Sequence, residues 1–308
     1  MDVGKRIRIG MASGVALAAA GTIAAAGTVQ AGDPAPPLYP DLRTVAPGSF
    51  SLEIKRNASG KTSLRISNRI ANQGAGPLEL YATDATVSGG PGGDTDCTEG
   101  EYDEPAGADR DANQNVFADT NGNGEFDRQG DPGGADQIHE TSKVGCFEYH
   151  LAHGHWHFQD FAQFRLDEVA SGEPVAGPSR KIGFCILDGD RKYPGLPGSP
   201  ASGIYPEDTA TGSGCGQGNP GDGPGAMGLS VGWADIYTYS LPGQRLDITG
   251  IPAGTYCLVS IANPANGPSE IIESDATNNE RRRQISIDPV ARKANWIDAS
   301  CPDPTPGA

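Results

Sequence analysis

The sequence predicts an all-β domain, sandwich-like, with long Gly/Pro/Asp-rich loops and little helix. Short segments alternate apolar and polar residues with period two and stop at Gly or Asn. No stretch carries the 3.6-residue periodicity of an amphipathic helix. Between the segments lie long runs rich in Gly, Pro, Asp, Asn and Thr, and Gly 44 plus Pro 25 make about 22% of the 308 residues. That share sits just under the composition at which low-complexity disorder becomes the default. With 36% hydrophobic and 6% aromatic residues, the chain buries one sizeable core rather than two. One domain with large insertions, residues 32–301, is expected, followed by a frayed tail at 302–308.

In chain order, residues 32–48 are a Pro-rich lead-in. FSLEIKR at 50–56, TSLRISNRIAN at 62–72 and GPLELYA at 76–82 then read as strands. Residues 83–135 read as one long loop rather than core, because Gly, Asp, Asn and Thr dominate them. Order resumes at Gly145, with CFEYH, HGHWHF, FAQFRLDEV and KIGFCIL as short strands. Residues 188–230 form a second Gly/Pro-rich excursion, and GWADIYTYSL, RLDITGI, TYCLVSIAN and RRRQISI close the strand set.

Residues 1–31 read as an export signal: Lys5, Arg6 and Arg8 start it, an Ala/Gly-rich apolar run follows, and Val29–Ala31 fits a small-residue cleavage site. That run is too weakly apolar for a membrane span, so a soluble exported protein without stable membrane insertion is expected. The formal net charge is −16 and becomes −18 without the first 31 residues. Such a balance excludes a basic nucleic-acid footprint; it either simply keeps the protein soluble or favours cationic partners such as divalent metals or amines. Six cysteines (Cys97, Cys146, Cys185, Cys215, Cys257 and Cys301) are widely spread with no C-x-x-C pair, which fits structural disulfides formed outside the cytoplasm better than a zinc site.

All five histidines fall within 139–157, four of them in YHLAHGHWHF. On a strand, alternate residues share a face, so His153, His155 and His157 project together with Gly154 and Trp156 behind. Three neutral imidazoles suit Cu, Zn, Fe or Ni and leave coordination positions open. His150 has the wrong parity for that face, and His139 reads as a loop residue.

These residues resemble the catalytic domain of lysyl oxidases, copper-dependent amine oxidases that cross-link collagen and elastin precursors in animals. The resemblance covers roughly residues 38–301. YHLAHGHWHFQDFAQFRL is similar to the family's copper box, which implies His153, His155 and His157 as copper ligands. SRKIGFCILD is similar to the segment bearing the quinone-forming lysine, which implies Lys181. MGLSVGWADIY with RLDITGIPAGTYCL resembles the segment of the cofactor tyrosine; counting back from Asp247 gives Tyr237, and counting from Ala234–Ile236 gives Gly232. Lysine tyrosylquinone, built from the chain's own side chains, is therefore implied. With it comes oxidation of a primary amine (peptidyl lysine in a lysine-rich protein, or a small amine) by molecular oxygen to aldehyde, ammonia and hydrogen peroxide. Asp235 is the nearest carboxylate for the base that removes the α-proton, or else a structural hydrogen-bond partner. By position Cys185–Cys215 resembles a family bridge, while Cys97–Cys146 and Cys257–Cys301 are guesses from the remainder. The chain departs from the animal pattern at Ala152 and Trp233, where the family has cysteines.

Two calcium sites are expected. ESDATNN offers Glu273, Asp275, Asn278 and Asn279, which resemble a family calcium motif completed by Asp41 and Leu42. DTNGNGEFD places oxygens of Asp119, Asn121, Asn123, Glu125 and Asp127 at relative positions 1, 3, 5, 7 and 9 with Gly124 at position 6, the front of a calcium-binding loop. Two readings compete with the oxidase. One is an exported copper-binding protein without turnover; the other is a zinc hydrolase, with Glu148 or Asp160 as the nearby carboxylate.

Overall fold

The computed structural model describes residues 35–45, 52–82, 109–128, 134–151, 153–179, 183–206, 214–216, 224–241, 244–265 and 270–302. The first strands in chain order are β1 (Pro37–Leu38), β2 (Leu42–Thr44), β3 (Leu52–Arg56), β4 (Thr62–Ile66), β5 (Asn68–Asn72) and β6 (Leu78–Ala82). β7 (Asp109–Ala118), β8 (Gln137–His150), β9 (His155–Phe158), β10 (Ala162–Glu168) and β11 (Pro174–Ala176) follow. The last are β12 (Met227–Leu229), β13 (Ala234–Tyr237), β14 (Arg245–Asp247), β15 (Gly254–Ala262), β16 (Glu280–Asp288) and β17 (Lys293–Ser300). Among the described residues the only helix is a 3-10 turn at Ala276–Asn278, capped by the Asp275 side chain. None is long and apolar enough to cross a membrane.

The all-β expectation holds. One sheet runs β12-β6-β7-β8-β9 with β1 on β7, and a second runs β11-β10-β15-β16-β17. Two three-stranded sheets, β13-β5-β2 and β14-β4-β3, complete the set. The second sheet and β14-β4-β3 face each other across Leu166, Leu258, Ile285 and Ile287 on one side and Leu64, Ile66 and Leu246 on the other. This is the sandwich. A separate core of Phe147, Trp156, Phe158, Phe161 and Phe184 lies behind β8 and β9 and carries the candidate site on its far side.

Three sequence expectations change. Residues 109–118, read as loop, are β7, a central strand of the largest sheet. Its segment DRDANQNVFA has little β-propensity, but its amides find partners far along the chain. Gln114 donates Nε2 to Ile272 O and accepts from Ile272 N, both at 2.8 Å, and Asn115 donates to Glu79 Oε1 at 2.8 Å. Order also resumes at Gln137 rather than Gly145, because β8 continues along β7 for its whole length. KIGFCIL, read as a strand, contributes only the bridge between Phe184 and Phe158 among its described residues.

Asp188 ties three segments of the second excursion together. Its carboxylate accepts from Ser230 N, Ser230 Oγ, Ile204 N and Tyr205 N at 2.6–3.1 Å. Burial raises its pKa above the ordinary value, and those hydrogen bonds oppose the rise. The folded carboxyl therefore holds its proton to higher pH than the unfolded one. The native state binds the extra proton in that window, so stability falls as pH climbs through it. Urea titrations of Asp188→Asn are expected to show a loss of about 1–3 kcal/mol from the broken network and a flatter pH slope on the acid side.

Candidate metal centre

β8 and β9 pair antiparallel with Glu148 opposite His157, Tyr149 opposite Trp156, and His150 opposite His155. Directly paired residues share a face, so one side of this ribbon carries Phe147, Tyr149, Trp156 and Phe158 into the core. The other side gathers Glu148, His150, His155 and His157. Aromatic burial behind the ribbon fixes which face the imidazoles occupy.

Only two of the three predicted ligands lie on the strand. His153 comes from the turn before β9, where His153 N and Gly154 N both donate to His150 O, at 3.1 and 2.8 Å. Gly154 has φ +70, a conformation that glycine adopts without steric cost. The turn swings His153 back over the strand face. His153 Nδ1 lies 3.4 Å from His157 Nε2, and His157 Nε2 lies 2.9 Å from His155 Nε2. The three residues each offer a ligand atom within 4.8 Å of the others. Nitrogens bound ~2.0–2.1 Å from one ion sit about 2.9 Å apart at a right angle and about 3.4 Å apart at the tetrahedral angle. The spacing thus fits a shared ion, and an all-imidazole donor set suits copper or zinc.

The parity argument misplaced His150. It joins the histidine face from the neighbouring strand, is buried, and packs its ring 4.2 Å from that of His153 and stacked 5.1 Å from that of His157. His139, read as a loop residue, is an exposed member of β8. Glu148 is buried on the histidine face and accepts from Gln159 Nε2 at 2.5 Å, and Asp160 is buried with φ 55.

Tyr237 ends β13, half-buried, with its Oη donating to Cys185 O at 2.6 Å. Its ring meets that of Phe184 edge-on at 4.6 Å. Phe184 in turn exchanges backbone hydrogen bonds with Phe158, at 2.8 and 2.9 Å, next to His157. The phenol is thereby tied to the histidine strand through two aromatic residues. The alternative position Gly232 has φ +77, and a Cβ there would lie 2.5 Å from Tyr193 O, so no tyrosine fits at that point. Asp235 is buried two residues before Tyr237, opposite Ile70. Lys181 lies outside the described residues, two positions before the described Gly183.

The Cys185–Cys215 bridge is present, as is Cys257–Cys301. Cys146 is disulfide-bonded, while Cys97 lies outside the described residues. The first bridge has a positional role that the sequence did not reveal. Cys185 O accepts from the Tyr237 phenol, and Cys215 O accepts from Trp156 N at 2.7 Å, between two of the predicted ligands. One disulfide fastens both halves of the site.

At the predicted calcium motif, Glu273 Oε2 accepts from Leu42 N at 2.5 Å, and its Oε1 accepts from Asn263 and Asn279 at 2.6 and 2.7 Å. Burial raises the Glu273 pKa to about 7. Asp41 Oδ1, Asn278 Oδ1 and Asn279 Oδ1 are buried without a hydrogen-bond partner among the described residues. Asp275 caps the 3-10 turn that carries Asn278. Oxygens lacking donors beside a buried carboxyl fit a hard cation. In the loop from Asp119 to Asp127, Asp119 instead accepts from Gly122, Asn123 and Gly124 N. Asn121 and Asn123 both donate to Asp127 Oδ2, Glu125 is half-buried, and Asp136 Oδ2, missed in the sequence, accepts from Asp127 N.

Comparison with known proteins agrees with the resemblance read from the motifs. Residues 202–296 match the family model described as lysyl oxidase. Lysyl oxidase homolog 3B of Danio rerio is 30% identical over 141 residues, 46% of this chain and 14% of that protein. Lysyl oxidase homolog 3 of Homo sapiens is 28% identical over 140 residues, 46% of this chain and 15% of that protein. The matched part thus spans only about one seventh of these relatives. The family match takes in Asp235, Tyr237 and Glu273–Asn279 and stops short of the histidine ribbon.

Proposed function

From the premise of a lysyl oxidase match across residues 202–296, we propose that this chain is an exported copper- and quinone-dependent oxidase of primary amines. Its reaction takes an amine, oxygen and water to an aldehyde, ammonia and hydrogen peroxide. His153, His155 and His157 would hold the copper, and Lys181 with Tyr237 would form lysine tyrosylquinone. Copper and the quinone together supply a carbonyl electrophile and an electron sink. The remaining work falls to the chain. Cys185 O fixes the phenol of Tyr237 by its 2.6 Å hydrogen bond. Phe184 and Phe158 pack beside it and keep that side of the site dry. Asp235 accepts the α-proton of the bound amine. The net charge of −16 steers cationic amines, whether peptidyl lysine or small diamines, toward the protein.

The observation that carries this reading is the convergence of three imidazole nitrogens on a strand whose Phe158 is hydrogen-bonded to Phe184, the residue against which the Tyr237 ring packs. Cleavage after Ala31 and disulfide formation outside the cytoplasm complete the proposal. Mass spectrometry of copper-reconstituted protein should find one covalent link between the peptides holding Lys181 and Tyr237. Unlinked peptides at full copper loading would overturn the oxidase and leave an exported copper-binding protein without turnover.

We also propose calcium at Asp41, Leu42, Glu273, Asp275, Asn278 and Asn279, and a second ion in the loop of Asp119, Asn121, Asn123, Glu125 and Asp127. At calcium a hundredfold above its Kd, the first site would stabilise the fold by about 2.7 kcal/mol, roughly 5 °C in Tm. Chelation should lower the wild-type Tm by more than that of Glu273→Gln, the difference being that increment. A wild-type Tm indifferent to chelation would dismiss the first site.

A further inference from the structure

The imidazole-bearing face of the β8–β9 ribbon continues past the histidines. His150 lies opposite His155 and Glu148 opposite His157, and beyond them Gln159 N donates to Cys146 O at 3.0 Å. Phe147, Tyr149, Trp156 and Phe158 fill the core behind, so strand alternation turns Glu148 toward the imidazoles. Side chains opposite each other in such a pair have Cβ atoms about 5 Å apart. Glu148 is buried, and its Oε2 accepts from Nε2 of Gln159, which is buried too. His157 is the most buried of the three proposed ligands, and its Nε2 faces the other two rings.

We propose that Glu148 is the outer carboxylate of this centre, steadying His157 and lowering the Cu(II)/Cu(I) potential of an ion held by the three imidazoles. Coulomb attraction scales with charge, so a carboxylate next to a metal ligand stabilises the doubly charged ion more than the singly charged one. Burial limits the screening of that attraction by water. Gln159 fixes the carboxylate through its amide hydrogen bond. Glu148 is a positioning residue: it acts on the ion through space and through His157, not on the substrate. This role rests on the copper reading of the histidines and is independent of the quinone.

The test uses the full chain carrying Tyr237→Phe, in which the proposed quinone cannot form, with each variant added to that parent. Competition with chelators selective for Cu(II) and for Cu(I) gives the two affinities, and anaerobic redox titration gives the potential. Glu148→Gln keeps the side-chain shape and an acceptor for Gln159, so its melt should stay close to the parent's. It should bind Cu(II) about tenfold to a hundredfold more weakly, the usual loss for a partner behind a ligating histidine. Cu(I) should lose about tenfold less, which raises the potential by about 59 mV, the equivalent of a tenfold change for one electron.

Glu148→Asp keeps the charge and should restore most of the potential. Glu140→Gln, which removes a carboxylate near the start of β8, should match the parent. A purely structural residue would shift the melt and leave the ratio of the two affinities unmoved. An unchanged potential in Glu148→Gln, or an equal rise in Glu148→Asp, would overturn the role while copper at the histidines stands. Copper held at parental affinity after His155→Ala would overturn the copper reading and this role together.

Discussion

His155→Ala is expected to weaken copper binding by roughly a hundredfold to a thousandfold. A metal site formed by a few side chains gains on the order of 3–4 kcal/mol per ligand, and this residue supplies one of the converging nitrogens, 2.9 Å from His157 Nε2. Its side chain is only half-buried, so truncation leaves little cavity and the fold should survive. Three measurements read the loss: copper per chain after dialysis, the hyperfine pattern of the Cu(II) spectrum, and the thermal shift on adding copper. At copper a hundredfold above the parent's Kd, the parent gains about 2.7 kcal/mol and the variant almost none. A variant that keeps stoichiometric copper with an unaltered spectrum would show that the ion sits elsewhere. His150→Phe is the companion. It preserves the ring packed on His153 and His157, so copper stoichiometry should stay at the parent's value.

Tyr237→Phe is expected to abolish amine-dependent peroxide release while leaving copper binding intact. The phenol oxygen is the atom that the proposed cofactor requires, and phenylalanine keeps the edge-on packing against Phe184. The structural penalty for losing the 2.6 Å contact to Cys185 O should stay near 1 kcal/mol, the usual net value of one hydrogen bond. Tyr239→Phe serves as the control, because Tyr239 is held through its backbone N by Ser67 Oγ. Turnover surviving in Tyr237→Phe, or vanishing equally in Tyr239→Phe, would remove residue 237 from the chemistry. Inactivity with full copper loading and a normal melt is the result that supports it.

How much of this was legible beforehand depended on the range of each interaction. The histidine spacing was informative because strand alternation is a local rule, and it named His155 and His157 correctly as sharing a face. The same rule failed for His150, since the chain reverses between β8 and β9 and cross-strand pairing, not parity, then assigns the face. Calcium-type oxygens were visible in ESDATNN because they are close in sequence. Asp41, more than 200 positions away, was named by the resemblance alone, and the fold brings its neighbour Leu42 onto Glu273.

By itself the sequence determined the strand-rich class, the acidic balance, the cysteine framework and the chemistry of the donors, all properties of residue type and short spacing. Only the tertiary structure decided that polar DRDANQNVFA is a central strand, that a left-handed glycine supplies the third imidazole, and that one disulfide steadies both the tyrosine and the histidine ribbon. The first and last of those outcomes rest on a hydrogen bond or packing contact between segments remote in sequence, whose free energy exists only after the chain has closed the loop between them.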